Sequence, residues 1–225
     1  MSEIRTDELI IQGDWSPQAG ATVVFVRSLI MKAGSRILID GQLQEFSLFC
    51  EESRVEENTR FEGRGNGAGD DGVNLVIYLG KTEIKGLTVD TTGEKGETGA
   101  KGSRGRNGGN ATCTGSGATN GGPGGKGAQG GAGGRGGNVI LGIDASSLPL
   151  QYLEIITQGG PGGDGGDGGD GGRGGAGKRC GLWKRGAGRS GPRGASGDPG
   201  PEGIDGEVNV LKARDMDHFL EMINR

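Results

Sequence analysis

Glycine returns at every third residue through four blocks of this chain, residues 93–108, 121–136, 159–177 and 188–206, with a weaker hint at Gly63, Gly69 and Gly72. Three residues per turn is the period of polyproline II geometry, which rises about 3.1 Å per residue and makes no hydrogen bonds within itself. Each block then forms a rod roughly 50 to 60 Å long, and rods of near-equal length suit side-by-side packing. Glycine is required because rods approach closely only where no Cβ intervenes, and each buried N–H and C=O must find a partner on a neighbouring rod. At about 0.5 to 1 kcal/mol per glycine relative to alanine, the 54 glycines imply an ordering entropy on the order of tens of kcal/mol. A cooperative network of hydrogen bonds between rods, helped by Cα–H···O contacts, is the interaction able to offset it.

Two other readings of glycine-rich sequence fit less well. Collagen needs strict G-X-Y order with proline near 15 to 20% or more, whereas this chain has 7 prolines and several G-G-X stretches. A flexible linker does not call for a sustained period or matched block lengths. With 31% hydrophobic and 4% aromatic residues there are too few large side chains for an ordinary core of this length, so backbone must order the glycine regions. Residues 159–177 and 121–137 leave two faces of each rod bare and belong inside. Residues 93–108 and 188–206 leave one bare face and belong outside.

Short β-branched and apolar runs at 23–26, 28–31, 36–40, 46–50, 54–56, 75–79 and 87–90 read as strands, with turn signals at Ala33-Gly34-Ser35 and Asp40-Gly41-Gln42. Further strands abut the rods at 139–141, 152–156 and 208–211. The expected fold is mainly β and irregular: a β-solenoid or β-sandwich base over 1–92, stacked on a polyglycine II helix bundle over 93–206 with interleaved strands at 138–158. A closing strand and a short C-terminal α-helix occupy 207–225. Met216, Phe219, Leu220 and Ile223 stand at i, i+3, i+4 and i+7, the stripe of an amphipathic helix with Asp215 as its N-cap. Eleven residues are too few to be helical alone, so the stripe docks on its own base or on another chain.

Net charge is −4, which gives no overall attraction to nucleic acid or to an anionic membrane. The first fifteen residues lack a basic, then apolar, secretory leader, and no run approaches the 18 apolar residues of a membrane span, so a cytoplasmic location is expected, with release by non-classical export or lysis. Cys50, Cys113 and Cys180 show no C-x-x-C spacing and read as free thiols, a Cys113–Cys180 clip between rods being the alternative in an oxidising environment.

Little in the chain suggests chemistry. Asp164, Asp167 and Asp170 share a rod face about 9 Å apart, too far for one calcium ion, and read as a solvated acidic stripe. His218 is the single histidine and suggests no nucleophilic triad. Gly80-Lys81-Thr82 has Leu75 where a phosphate-binding loop needs its first glycine. The sequon at Asn110 means little without a secretory leader. No catalytic, cofactor or metal residue is expected. The distinctive segment is Lys178, Arg179, Cys180, Gly181, Leu182, Trp183, Lys184 and Arg185, joining two rods within a stretch, 173–193, that holds seven cations and no acid. Lys178, Arg179, Leu182, Trp183, Lys184 and Arg185 are the candidate partner-binding residues, fitted to an anionic surface or polysaccharide.

Residues 121–155, GGPGGKGAQGGAGGRGGNVILGIDASSLPLQYLEI, resemble the glycine-rich N-terminal domain of the Obg GTPases, in which polyglycine II helices project from a β-base. The bundle is similar also to the snow flea antifreeze protein and to glycine-rich phage tail-tip adhesins. About 35 residues carry the likeness, which implies architecture rather than activity. The sequence shows no GTPase domain, and its charged free faces do not suit ice binding. The functional expectation is a non-enzymatic structural and interaction protein that self-assembles. Its alternatives are a receptor-binding adhesin of a phage-like tail fibre and an Obg-like ribosome- or RNA-associated factor.

Overall fold

A computed structural model describes residues 2–18, 20–144 and 152–224. Fourteen strands and one helix are defined: β1 Ser2–Ile11, β2 Asp14–Trp15, β3 Ala21–Met31, β4 Arg36–Leu38, β5 Glu45–Val55, β6 Thr59–Glu62, β7 Asn74–Leu79, β8 Thr82–Ile84, β9 Leu87–Asp90, β10 Val139–Asp144, β11 Leu153–Ile156, β12 Lys178–Cys180, β13 Trp183–Arg185, β14 Val208–Ala213 and α1 Met216–Ile223. The chain is mainly β with one short C-terminal helix, and its large sheets are parallel and open. It divides into two compact units, one of Met1–Lys95, Gly133–Pro161 and Glu202–Arg225, the other of Gly96–Ala132 and Gly162–Pro201.

In the first unit one sheet runs β1-β3-β5-β7-β10-β14, with β8 also beside β5, and the second runs β11-β9-β6-β4-β2. Among the described residues every pair in both sheets is parallel, with no hairpin meander between them. Apart from β8, which follows β7 in the same sheet, the chain alternates between the sheets, adding each strand beside the previous one of that sheet. Side-chain alternation sends one set of residues inward. Register aligns Val24, Leu48, Ile77 and Leu141 in one row and Phe46, Leu75 and Val139 in another, all buried with Ile37, Phe61, Leu87 and Val89. The outward set of the first sheet forms a second row, Phe25, Phe49, Tyr78, Gly142 and Leu211.

Helix α1 lies on that row. Phe219 is buried and stacks on Tyr78 with ring centroids 5.3 Å apart, while Met216, Leu220 and Ile223 pack around it. Gly142 makes room: a Cβ there would stand 2.5 Å from Phe219 Cδ2. Asp215 caps the helix by accepting the His218 N–H at 2.8 Å. The apolar stripe of the tail therefore docks on its own sheet.

Several elements differ from the sequence reading. The runs at 23–26 and 28–31 are one strand, β3, and those at 46–50 and 54–56 are one strand, β5, because parallel pairing continues through their polar middles. β1, β2, β6 and β8 were not expected. β1 is an edge strand whose exposed charges mask the inward Ile4, Leu9 and Ile11. Residues 145–151 of the anticipated strand region 138–158, and of the Obg-like segment, lie outside the described residues.

The second unit holds four extended segments, 96–108, 121–132, 162–177 and 188–201, linked by hydrogen bonds that repeat every three residues. The N–H groups of Gly99, Gly102, Gly105 and Gly108 donate to the carbonyls of Asp164, Asp167, Asp170 and Arg173, all at 2.8 Å, so the first and third rods are parallel. Gly121, Gly124, Gly127 and Gly130 of the second rod donate to Arg189, Pro192, Ala195 and Asp198 of the fourth. Gly122, Gly125, Ala128 and Gly131 donate to the antiparallel first rod. Gly163, Gly166, Gly169 and Gly172 of the third donate to the second, and Gly191, Gly194, Gly197 and Gly200 of the fourth donate to the third. The second and third rods thus bond to three neighbours and the first and fourth to two, as their two bare faces and one require.

Candidate binding surface

The segment read from sequence as a connecting loop is an antiparallel hairpin, β12 against β13, pairing Lys178 with Arg185, Arg179 with Lys184 and Cys180 with Trp183. Its loop is two residues. Gly181 takes φ +66 and Leu182 follows without a positive φ, the requirement of a type II′ turn, which Gly at the first position meets without strain. The local pattern K-R-C-G-L-W-K-R carries no apolar alternation, so turn chemistry and one cross-link hold the hairpin.

That cross-link corrects the expectation of three free thiols. Cys113, in the loop over 109–120, is bonded to Cys180, closing a separation of 67 residues with Cα atoms 5.6 Å apart. The rods bring both loops together, which spacing in sequence could not reveal. Cys50 remains the free cysteine among the described residues; it is buried, and desolvation pushes its thiol pKa up, disfavouring the thiolate.

Arg185 ties the two loops together. Its guanidinium lies 5.1 Å from the Trp183 ring centroid and donates to the Gly115 carbonyl at 2.7 Å. Leu182 has a relative exposure of 107% and Trp183 of 49%; Lys178, Arg179 and Lys184 are exposed. The structure therefore gathers all six candidate partner-binding residues on one hairpin, with Arg185 half-buried as a brace beside the half-exposed Trp183 and with Lys178, Arg179, Leu182 and Lys184 exposed.

Charge is distributed unevenly. The second unit has 11 Lys and Arg against 5 Asp and Glu, a net +6, and the first has 14 against 24, a net −10. All five acids of the second unit lie outside 98–132 and 171–197, the two stretches that hold all its cations. The acidic stripe is partly neutralised across rods: Lys101 reaches Asp170 at 3.6 Å and Arg193 reaches Asp167 at 3.5 Å. Lys126 bonds Asp198 at 2.9 Å, and this hydrogen bond, more than charge attraction, holds the Asp198 carboxyl below its ordinary range. Arg104, Arg106, Arg173, Lys178, Arg179, Lys184 and Arg189 form no ion pair among the described residues. The sequence reading singled out the hairpin cations but not Arg104 and Arg106, which stand at the end of the first rod and are found only once its pairing is known.

The first unit carries an open cleft of about 830 Å³ walled by Asp70, Asp71, Asn74, Arg135, Asn138 and Glu207. Much of its polar wall is engaged internally: Asp71 accepts the Arg135 N–H at 2.6 Å, Asn74 that of Asn138 at 2.9 Å, and Asn138 that of Glu207 at 2.8 Å. Lys81 of the Gly-Lys-Thr triplet is hydrogen-bonded to Glu52 at 2.9 Å, which raises its pKa, and Thr82 begins a strand rather than a helix. Among the described residues no group of three or more His, Cys, Asp or Glu is placed to hold a metal ion, and no helix is long and apolar enough to cross a membrane. No family model matches the chain, and no curated protein or solved structure matches it at a significant level.

Proposed function

We propose that this chain is a non-enzymatic structural and interaction protein, a rigid scaffold that presents the basic hairpin over 178–185 to an anionic partner and associates with copies of itself. One observation carries the reading: eleven cations and no acid in 98–132 and 171–197, beside a hairpin whose shape a disulfide and the Arg185 brace fix in advance. Preorganisation lowers the ordering entropy of binding, and a one-signed surface attracts the opposite charge.

In architecture, we read the two alternating parallel sheets as a β-solenoid, because successive circuits of chain extend both sheets in the same order, β8 alone adding a second strand to its circuit. The rods we read as a polyglycine II bundle, because their hydrogen bonds recur at three residues. The likeness to the Obg glycine-rich domain belongs to this architectural reading and carries no activity. Self-association is supported by the final strand. Val208 and Val210 continue the buried inward rows at Val139 and Leu141 yet are 43% and 40% exposed. The adhesin reading gains support from the disulfide, which persists in oxidising surroundings rather than a reducing cytosol.

Retention on immobilised heparin tests the surface. The oxidised chain is expected to bind at moderate ionic strength, and Ala at Lys178, Arg179, Lys184 and Arg185 together to shift elution to much lower salt. Unchanged elution of that variant counts against the proposal. Sizing of the same samples, with Val210→Asp expected to reduce the assembly, tests self-association.

A further inference from the structure

The hairpin tip adds to its charge a feature that an ordinary polyanion site does not need. Leu182, on the two-residue turn, is covered by nothing, and Trp183, the next residue and the first of β13, is half exposed. The disulfide at Cys180 and the clamp of Arg185 on Gly115 fix the hairpin that carries this pair, and Arg185 holds one side of the Trp183 ring. Exposed cations stand on both strands, Lys178 and Arg179 on one and Lys184 on the other.

Resting on the reading of this hairpin as a presented basic surface, we propose that it docks on an anionic lipid surface. Leu182 and Trp183 enter the headgroup layer while Lys178, Arg179 and Lys184 hold lipid phosphates. Tryptophan favours the membrane–water interface, where its ring is apolar and its N–H stays wet, and cations with apolar stems reach outward from partly immersed positions. Other anionic partners fit the tip less well. A single-stranded nucleic acid needs a groove with several stacking aromatics, and this convex turn offers one. A protein partner of standard size covers about 800 Å² around a desolvated apolar centre, whereas the apolar tip is two residues.

The magnitudes are accessible to measurement. Each cation near an anionic surface strengthens partition about fivefold, screened by salt, and withdrawing the Leu182 side chain from the interface weakens it about tenfold. The test uses the full oxidised chain carrying Trp15→Phe, so that Trp183 alone reports, with equimolar phosphatidylglycerol–phosphatidylcholine vesicles, pure phosphatidylcholine vesicles, heparin and single-stranded DNA. The expected result is cosedimentation with the anionic vesicles only, a blue shift of Trp183 emission, about tenfold weaker binding for Leu182→Ser and about 25-fold for Lys178→Ala with Lys184→Ala. These residues are exposed, and an unchanged melting temperature shows the variants folded.

Retention on heparin or DNA without vesicle binding overturns the lipid inference and leaves the basic-surface reading standing. Vesicle binding with no spectral shift and no effect of Leu182→Ser overturns insertion in the same way. Failure to bind vesicles, heparin and DNA alike overturns both.

Discussion

Two single-methyl substitutions, one at a crowded position of the third rod and one at an open position of the second, test whether backbone packing orders the second unit. At Gly168, buried in the third rod, a Cβ would stand 1.8 Å from the Gly194 carbonyl oxygen and 2.4 Å from its carbon. A methyl carbon needs roughly 3.3 Å from an oxygen, so the third and fourth rods must part by more than about 1 Å. The flanking bonds from Gly194 to Gly169 and from Gly197 to Gly166, both 2.8 Å, then pass beyond hydrogen-bonding distance. Each is worth about 1 kcal/mol net, and groups left dry and unpaired cost about 1 to 3 kcal/mol more, so Gly168→Ala should destabilise by roughly 3 to 6 kcal/mol. At Gly122 of the second rod the nearest atom to a Cβ is Arg106 N at 3.4 Å. The same row already holds an alanine, Ala128, whose N–H still donates to Ala100 at 2.8 Å. Gly122→Ala should be neutral, or stabilising by about 0.4 to 1 kcal/mol through the unfolded chain. At about 2 to 4 °C per kcal/mol, circular dichroism should record a fall of roughly 6 to 24 °C for Gly168→Ala and none for Gly122→Ala. Equal shifts, or a neutral Gly168→Ala, would refute the packing argument.

Gly142→Val should drive Phe219 off the sheet, since its Cβ would lie 2.5 Å from the ring; trypsin should then cut at Lys212 or Arg214 and mass spectrometry should find the tail missing, as for Phe219→Ala, a truncation of about 3 to 5 kcal/mol. Cys113→Ser opens a 67-residue closure and should lower the stability of the rod unit by up to about 4 kcal/mol in thermal melts, while reductant should leave Cys113→Ser itself unchanged. Cys50 should react with a thiol reagent only on unfolding, so the oxidised native chain should titrate no fast thiol. Asp198, its pKa lowered by Lys126, contributes stability present above the ordinary carboxylate range and lost as pH falls through its lower folded value; Lys126→Met should flatten that acid limb.

The rods are legible because the rule that makes them is carried by single residues: a row that faces the carbonyls of a neighbouring rod cannot hold Cβ atoms, which would stand 1.8 to 2.2 Å from them at Gly99, Gly127 and Gly168. The tail was legible for a similar reason, since Met216, Phe219, Leu220 and Ile223 repeat the helical period. What sequence concealed was pairing. Nothing local tells residue 113 that it meets residue 180, or the third rod that it lies parallel to the first. β1 escaped notice because an edge strand buries only part of one face, so its charged residues outweigh Ile4, Leu9 and Ile11. The hairpin escaped because a glycine turn and a remote cysteine, rather than alternation, define it.

The asparagines show how the lattice ends. A rod residue other than the bare-face glycines also carries an N–H, and on the outer row of the third rod these point toward the outer row of the first. Lys101 and Arg104 on that row have no acceptor; Asn107 has one, and its Oδ1 takes the Arg173 N–H at 2.9 Å. One turn further Asn110 takes Ala176 at 2.8 Å, and Asn120 takes Arg189 at 2.8 Å at the start of the fourth rod. Asn107 and Asn110 stand at the end of the first rod and Asn120 at the start of the second, beside the loop that holds Cys113. Each amide side chain accepts an N–H that the three-residue ladder of backbone bonds does not use, so the chain leaves the lattice with these N–H groups satisfied. Asn120→Leu, close in volume but lacking the acceptor, should therefore loosen Arg189 and the start of the fourth rod, seen as faster amide exchange at residues 188–191 with the central glycines unchanged. Uniform acceleration along the whole rod would show that the asparagine supports the bundle at large rather than terminating it.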